Sequence, residues 1–173
     1  SRTLTGVAKV RPVFRPRTIV GPLDGSAHAK SALPVARALA QLERATLHVT
    51  YVGERLLAPR QTLEELGLTA DEIRGSVLNQ APGAAADGVI RLAKELPNAL
   101  IVMSTHVGGE EPNGEFGSVA DAVLGEITGQ VVLVHPERGD QGWALRRVLI
   151  PHDGTPTTYA AVGPGTDIAR RAG

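Results

Sequence analysis

The segment from Ser104 to Ser118 is the part of this 173-residue chain best suited to contact a small anion. It ends in Gly117-Ser118, directly before an apolar pattern typical of a helix. The free amides and the dipole of a helix N-terminus favour an anion, and a glycine lets a phosphate approach the backbone. Because Gly-Ser is also an ordinary helix cap, the motif leaves both interpretations open.

The first predicted strand is followed by the dense turn signal Pro22-Leu23-Asp24-Gly25-Ser26. An aspartate in such a glycine-rich turn often bonds its own backbone. The histidines show no metal-ligand spacing, and there is no cysteine, which excludes thiolate zinc sites, iron–sulfur clusters and disulfide scaffolds. Neither a serine nucleophile elbow nor a phosphate-binding P-loop occurs. The sequence therefore predicts no catalytic residue and no metal site.

Composition excludes several function classes. Eighteen Lys and Arg balance eighteen Asp and Glu, whereas nucleic-acid binders normally carry a basic surplus. Two Phe, two Tyr and one Trp are too few for base-stacking surfaces. No apolar run approaches the ~20 residues of a membrane helix. We therefore expect a cytoplasmic protein without nucleic-acid or membrane partners.

Short apolar runs alternate with helical patterns along the chain. Strands are predicted at Thr18–Val20, Thr46–Val52, Ser76–Leu78, Leu100–Met103 and Val131–Val134. Helices are predicted over 27–43, with a bend at Pro34, over 84–96 and from Gly117 onward. This order predicts an α/β fold with an open five-stranded parallel sheet and helices on both faces. Ligands of such sheets bind beyond the carboxyl ends of the strands, here the loops after Val20, Val49 and Met103.

The chain is predicted to have four parts: a basic arm (1–17), the α/β domain (18–135), a linker (136–145) and a C-terminal segment (146–173). That segment matches residues 17–44 at an offset of 129 residues, with identities at Arg17/Arg146, Pro22/Pro151, Asp24/Asp153 and Gly25/Gly154. We interpret it as an incomplete second repeat, a strand followed by a weak helix interrupted by Gly163-Pro164-Gly165. Because so small a piece cannot bury an apolar face alone, it docks on the first domain or on another chain, or it begins a second domain.

From Arg17 to His135 the chain resembles the universal stress protein family. The resemblance rests on five segments in the family's order: Pro22-Leu23-Asp24-Gly25-Ser26, Leu47-His48-Val49, Ile101-Val102-Met103-Ser104-Thr105-His106, Gly117-Ser118-Val119-Ala120 and Val131-Val132-Leu133-Val134. It implies a UspA-like domain of Rossmann-like, adenine-nucleotide alpha-hydrolase-like fold. It also implies a non-enzymatic regulatory or protective role in the stress response.

Family members that bind ATP carry a glycine, two residues, a second glycine, nine residues and then Gly-Ser or Gly-Thr. The final pair is Gly117-Ser118 here, but Ser104 and Val107 replace the two earlier glycines. A side chain at position 107 crowds a phosphate, and three glutamates between positions 108 and 116 repel it. The resemblance implies a site for ATP or another adenine nucleotide, with Mg²⁺ only alongside the nucleotide. The site residues that it implies are Pro22, Asp24, Val49, Met103, Ser104, Val107, Gly117, Ser118 and Val119.

Family members commonly dimerise through the last strand, which implies a homodimer through Val131–Val134. An unpaired apolar edge strand invites association, so the same expectation has a physical basis. Two alternatives stay open. A nucleotide-free dimeric interaction scaffold fits the missing glycines, whereas a nucleotide hydrolase needs a cationic or metal clamp that the 104–118 segment does not supply.

Overall fold

The computed structural model describes residues 15–96, 98–105, 117–136 and 143–173. These residues divide into two compact units. The first, here called the α/β unit, holds the described residues between Pro16 and Ala144, and the second, the C-terminal unit, contains Leu145–Gly173. Most of the predicted basic arm (1–14) and of the predicted linker (137–142) lies outside the described residues.

The described part of the α/β unit has five strands and five helices. The strands are β1 (Thr18–Leu23), β2 (Thr46–Gly53), β3 (Val77–Pro82), β4 (Ala99–Ser104) and β5 (Gln130–Val134). The helices are α1 (Ala27–Lys30), α2 (Leu33–Glu43), α3 (Pro59–Leu66), α4 (Ala85–Glu95) and α5 (Ser118–Glu126). Every strand pair is parallel, and the strand order is β3-β2-β1-β4-β5. The predicted fold class is confirmed.

Helices cover both faces of the sheet, because successive side chains of a strand point to opposite faces. Val20 and Ile101 are buried in one cluster with Val89 of α4 and Val123 of α5. On the opposite face, Gly21 lies against α2. The sheet is therefore the central layer of three, and its aliphatic side chains form a core on each side.

Two local predictions are corrected. The first strand does not stop at Val20 but continues through Gly21 and Pro22, since its pairing with β2 extends to Leu23. The predicted helix over 27–43 is two helices, α1 and α2, separated by a turn at residues 31–32. Pro34 causes no bend inside a helix because it lies in the first turn of α2, where its missing N–H has no helical acceptor.

The C-terminal unit contains α6 (Pro156–Tyr159) and α7 (Val162–Ala172). Two predictions for this unit are wrong. The described residues 143–155 form no strand, because a strand needs a hydrogen-bonded neighbour. Gly163-Pro164-Gly165 does not interrupt α7, since these residues occupy its first turn, where proline is tolerated. Across the described residues, no helix has the length and apolar character needed to cross a membrane.

Candidate functional site

A cleft opens where the carboxyl ends of β1 and β4 separate. The ladder between these strands ends at the pair Val20–Ile101. Beyond that pair, β1 stays with β2 as far as Leu23, and β4 stays with β5 as far as Ser104. After β1 the chain adds strands toward the β3 edge of the sheet, and after β4 it adds β5 at the opposite edge, so the strand order reverses between β1 and β4. Open α/β sheets bind their ligands at this position.

The cleft is lined by the ends of both strands and by the helices that flank them. Its polar lining residues are Asp24, Ser26, His28 and Ser104, and its apolar ones are Pro22, Leu23, Ala29, Val52, Ala85, Val89, Met103 and Val119. The space in it that water-sized molecules can occupy is about 90 Å³, and the cleft is open to solvent. An apolar wall with a few polar groups is the usual lining of a small-molecule site.

The β1 side of the cleft is a tight turn stabilised by local hydrogen bonds. The backbone N–H of Ser26 donates to Oδ1 of Asp24 at 2.9 Å. Gly25 has a φ of +89°, and a Cβ there would lie 2.7 Å from the carbonyl oxygen of Glu65. Ser26 caps α1, because its Oγ accepts the N–H of Ala29 at 3.1 Å. The turn thus holds the exposed Asp24 carboxylate at the cleft, with Oδ1 as the oxygen that is bonded within the described residues.

The β4 side of the cleft is formed by Met103, Ser104 and Val119. Val119 belongs to the first turn of α5, which Gly117 precedes with a φ of +99°. Since that conformation favours glycine, Gly117 sets the point at which α5 begins. Gly117 and Ser118 therefore stand beside the cleft at the start of α5, but neither is a lining residue.

The structure brings five of the nine predicted site residues together at the cleft: Pro22, Asp24, Met103, Ser104 and Val119. Val49 is fully buried and does not line the cleft. It precedes the lining residue Val52 by three positions, and an odd separation in a strand directs two side chains to opposite faces. Val49 therefore lies on the other face of β2 from this lining, and its role as a site residue stays a prediction. Val107 lies outside the described residues.

Sequence reasoning missed the lining residues from β2, α1 and α4. Val52 could have been found from the alternation of side chains along β2, once the face of β2 that points toward the cleft was known. Ala85 and Val89 are four positions apart in α4, so they share a helix face. His28 lies in the short helix α1 directly after the Asp24 turn, and no sequence pattern around it predicts that it lines the cleft.

A half-buried polar pair lies on the face of β2 that carries Val52. Nδ1 of His48 accepts a hydrogen bond from the Asn79 side-chain amide at 2.7 Å when the imidazole is neutral with its proton on Nε2. Burial lowers the pKa of His48 below its ordinary 6.5, which favours that neutral form. Thr50 is fully buried on the same face, and its Oγ1 has no hydrogen-bond partner among the described residues.

The electrostatic character of the cleft suits a ligand with hydrogen-bond donors. Asp24 supplies a carboxylate, which only accepts hydrogen bonds, and none of the described lining residues is Lys or Arg. Among the residues that the structure describes, no group of His, Asp and Glu could hold a metal ion. The described cleft can therefore orient a ligand's hydroxyl or amino group at Asp24 while apolar side chains contact a flat, uncharged ring system of the same ligand.

Solved structures share this architecture, whereas no protein-family model and no curated protein matches the sequence. A universal stress protein in complex with cAMP is 25% identical over 70% of this chain and 98% of its own, with a TM-score of 0.55. The universal stress protein UspA from Lactobacillus plantarum is 20% identical over 70% of this chain and 99% of its own, with a TM-score of 0.54. The α/β unit has a UspA-like fold. The resemblance predicted from the sequence is thus confirmed.

A longer protein contains the same fold. A universal stress protein from Pseudomonas aeruginosa is 20% identical, with a TM-score of 0.50. The match covers 70% of this chain but 48% of that one. A UspA-like domain therefore accounts for about half of the longer chain.

Proposed function

We propose that the UspA-like domain is a non-enzymatic regulatory module of the stress response that binds an adenine nucleotide in the cleft between β1 and β4. The observation that carries the proposal is the convergence of Asp24, Met103 and Ser104 at the point where the strand order reverses. The fold match to a universal stress protein in complex with cAMP supports an adenine ligand. Met103 and Val52 would contact the base, and Asp24 would accept a hydrogen bond from a sugar hydroxyl or a base amine.

The charge of the site favours a nucleotide with one phosphate over a triphosphate. The described lining holds the Asp24 carboxylate and neither Lys nor Arg. The sequence between residues 106 and 116 adds three glutamates and no Lys or Arg. A triphosphate would meet the Asp24 carboxylate without a Lys or Arg among the described lining residues to neutralise it, unless Mg²⁺ accompanied it. We therefore expect AMP or cAMP to bind more tightly than metal-free ATP.

Isothermal titration calorimetry with AMP, cAMP, ATP and ATP with Mg²⁺ tests the site. Asp24→Asn keeps an oxygen for the Ser26 N–H but replaces the other carboxylate oxygen by a donor. A lost hydrogen bond to a charged group is worth about 1.5–3 kcal/mol, or roughly a 10- to 150-fold increase in Kd. Asp153→Asn is the control: Asp153 belongs to the C-terminal unit, is not a lining residue of the cleft, and accepts the Thr155 N–H at 2.9 Å as well as the Thr158 hydroxyl at 2.6 Å. We expect the control to bind like the unmodified chain.

Three outcomes would contradict the proposal. Equal Kd values for Asp24→Asn and Asp153→Asn would place the ligand elsewhere. No binding of any adenine nucleotide at millimolar concentration would favour the nucleotide-free scaffold, which the replacement of two glycines by Ser104 and Val107 also favours. Phosphate release from bound ATP would indicate a hydrolase, although the described lining supplies no Lys or Arg to stabilise a transferring phosphoryl group.

We also propose that two copies associate through β5. In the described sheet β5 is an edge strand, and four of its five residues are apolar. Val131 and Leu133 pack toward the α4–α5 side, so Val132 points to the opposite face. The other edge, β3, carries polar residues and ends in Pro82, which discourages further pairing.

Size-exclusion chromatography with light scattering tests this interface. Val132→Lys places a charge on the apolar edge and is expected to convert a dimer into a monomer. Val77→Lys places the same charge at the β3 edge, where Val77 is already exposed, and is expected to leave the dimer intact. A monomeric unmodified chain at micromolar concentration, or a dimer that survives Val132→Lys, would contradict this interface.

A further inference from the structure

The lining of the cleft is divided between an apolar wall and a polar wall. The apolar wall consists of Val52 from β2 with Ala85 and Val89 from α4. The polar wall consists of Ser26, which caps α1, and His28, which belongs to that helix. Helix α1 leads into α2, which covers the face of the sheet opposite to α4. A ligand with a flat ring and an anionic group would therefore place the ring against the apolar wall and the anion toward α1.

His28 is held at the cleft by the hydrogen bonds of α1. At the start of the helix, Oγ of Ser26 accepts the N–H of Ala29 at 3.1 Å. At its end, Oγ of Ser31 donates to the carbonyl oxygen of His28 at 2.7 Å. Helix α1 also contacts both β1 and β4, the two strands that separate at the cleft. The imidazole therefore extends from a fixed backbone, and because His28 is exposed, a ligand can reach it.

His28 is the residue of the described lining that can become positively charged. The titratable side chains of that lining are Asp24 and His28, and it includes neither Lys nor Arg. Lys30, two residues later on α1, donates to the carbonyl oxygen of Gly67 at 2.7 Å and is not a lining residue. The charge of a histidine ordinarily changes between pH 5 and 8. An imidazolium at position 28 is thus the positive charge that the described lining can offer to a phosphate.

The elements around α1 and the cleft supply acidic side chains rather than a substitute for this cation. The strands that α1 contacts, β1 and β4, contain no titratable side chain, and Asp24 directly follows β1. Helix α3 approaches the Asp24 turn with the backbone carbonyl of Glu65. Helices α4 and α5 carry Asp87 and Asp121 in their first turns, and neither lines the cleft. These carboxylates would repel a phosphate, so its attraction to the cleft depends on His28.

We propose that the imidazole of His28 binds the phosphate of the ligand, and that it does so in its protonated form. This inference rests on the proposed nucleotide site and adds the group that contacts the anion. An N–H of the imidazolium would donate to a phosphate oxygen, while the Asp24 carboxylate accepts from the sugar or the base. Because the protonated form binds, the complex takes up a proton, and the affinity falls as the pH rises through the titration of the imidazole.

Calorimetric titrations with cAMP and with adenosine between pH 5.5 and pH 8 test the proposal. Over this range cAMP keeps one negative charge and adenosine has none, so neither ligand titrates. We expect the Kd of cAMP to be roughly 10-fold lower at pH 5.5 than at pH 8, because a charged donor makes the stronger hydrogen bond. The Kd of adenosine should change little. At pH 6.5 the heat of cAMP binding should vary with the ionisation enthalpy of the buffer, which reports the proton taken up.

His28→Gln is the test variant, because glutamine keeps a side-chain donor but cannot be protonated. We expect it to bind cAMP at every pH as weakly as the unmodified chain does at pH 8, without the buffer-dependent heat. His48→Gln is the matched control, since His48 belongs to the same unit but does not line the cleft. His106→Gln is a second control, because His106 follows β4 in the sequence but lies outside the described residues. Both controls should keep the pH dependence.

The outcomes separate this inference from the proposed function. A Kd of cAMP that is independent of pH, or a pH dependence that survives His28→Gln, would overturn the role of His28 and leave the nucleotide site in place. Loss of adenosine binding in His28→Gln would also overturn it, because the residue would then be structural. Binding of neither cAMP nor adenosine to the unmodified chain at any pH would instead overturn the proposed function, and this inference with it.

Discussion

Replacing Gly25 by alanine tests how the Asp24 turn is held at the cleft. An alanine there must adopt a φ of +89°, which costs about 1–2 kcal/mol for an L-residue. Its Cβ would also meet the Glu65 carbonyl oxygen at 2.7 Å, and this backbone atom cannot rotate away as a flexible side chain can. Overpacking of this type adds about 1–3 kcal/mol. The expected destabilisation is therefore about 2–5 kcal/mol.

Gly75→Ala separates the two contributions. Gly75 has a φ of +79° in the same unit, and nothing lies within 4 Å of an added Cβ, so only the backbone cost of about 1–2 kcal/mol remains. The assay is urea unfolding of both variants followed by circular dichroism. Gly25→Ala is also expected to weaken nucleotide binding, because the turn must move and carries Asp24 with it. Equal stabilities of the two variants would refute the close approach to Glu65, and unchanged binding by a destabilised Gly25→Ala would refute the role of the turn.

Three further substitutions probe the layer beneath the cleft, and a fourth, on α5, is a control. Burial lowers the pKa of His48 below 6.5, so as the pH falls below that value the unfolded chain binds more protons than the native state, and native stability decreases. His48→Gln should make the urea midpoint depend less on pH between pH 7 and pH 5. An unchanged pH dependence would contradict this. Thr50→Val removes a buried hydroxyl that has no partner among the described residues, and is expected to raise the free energy of unfolding by about 1 kcal/mol, whereas a loss would reveal an unrecognised partner. Gly88→Ala should destabilise by about 1–3 kcal/mol, since its Cβ would lie 2.8 Å from Val52 Cγ1. Gly125→Ala on α5, with nothing within 4 Å, should instead stabilise by about 0.5–1 kcal/mol, and the same sign for both glycines would contradict the contact.

The fold could be predicted because its signals are local and repeated. Unbroken apolar runs such as Leu100–Met103 occur only where a strand is covered on both faces, and helical patterns separate them. The end of β1 could not be predicted in this way. Gly21 and Pro22 are turn-forming residues, and what keeps them in the strand is the ladder with β2 on one side alone. That one-sided ladder also creates the cleft, so the error in the sequence reasoning falls at the candidate site.

The composition of the site was partly predictable. The rule that ligands bind at carboxyl ends pointed to the loops after β1 and β4, and the resemblance to universal stress proteins then named Asp24 and Met103 there. Val49 was named through the resemblance, whereas Val52, three residues later on the other face of β2, lines the cleft; a residue inside a strand is assigned to a face only once the register is known. His28 depends on how α1 follows the turn, which is a tertiary property rather than a sequence pattern.

Amide chemical shifts recorded during a titration with cAMP locate the ligand, because each residue reports its own surroundings. Saturable changes are expected at the carboxyl ends of β1 and β4, strongest at Leu23, Asp24, Met103 and Ser104. Little change is expected along β3 or in α7. Changes centred on β3 or α7, or no change at millimolar ligand, would contradict a nucleotide-binding cleft at the reversal of strand order.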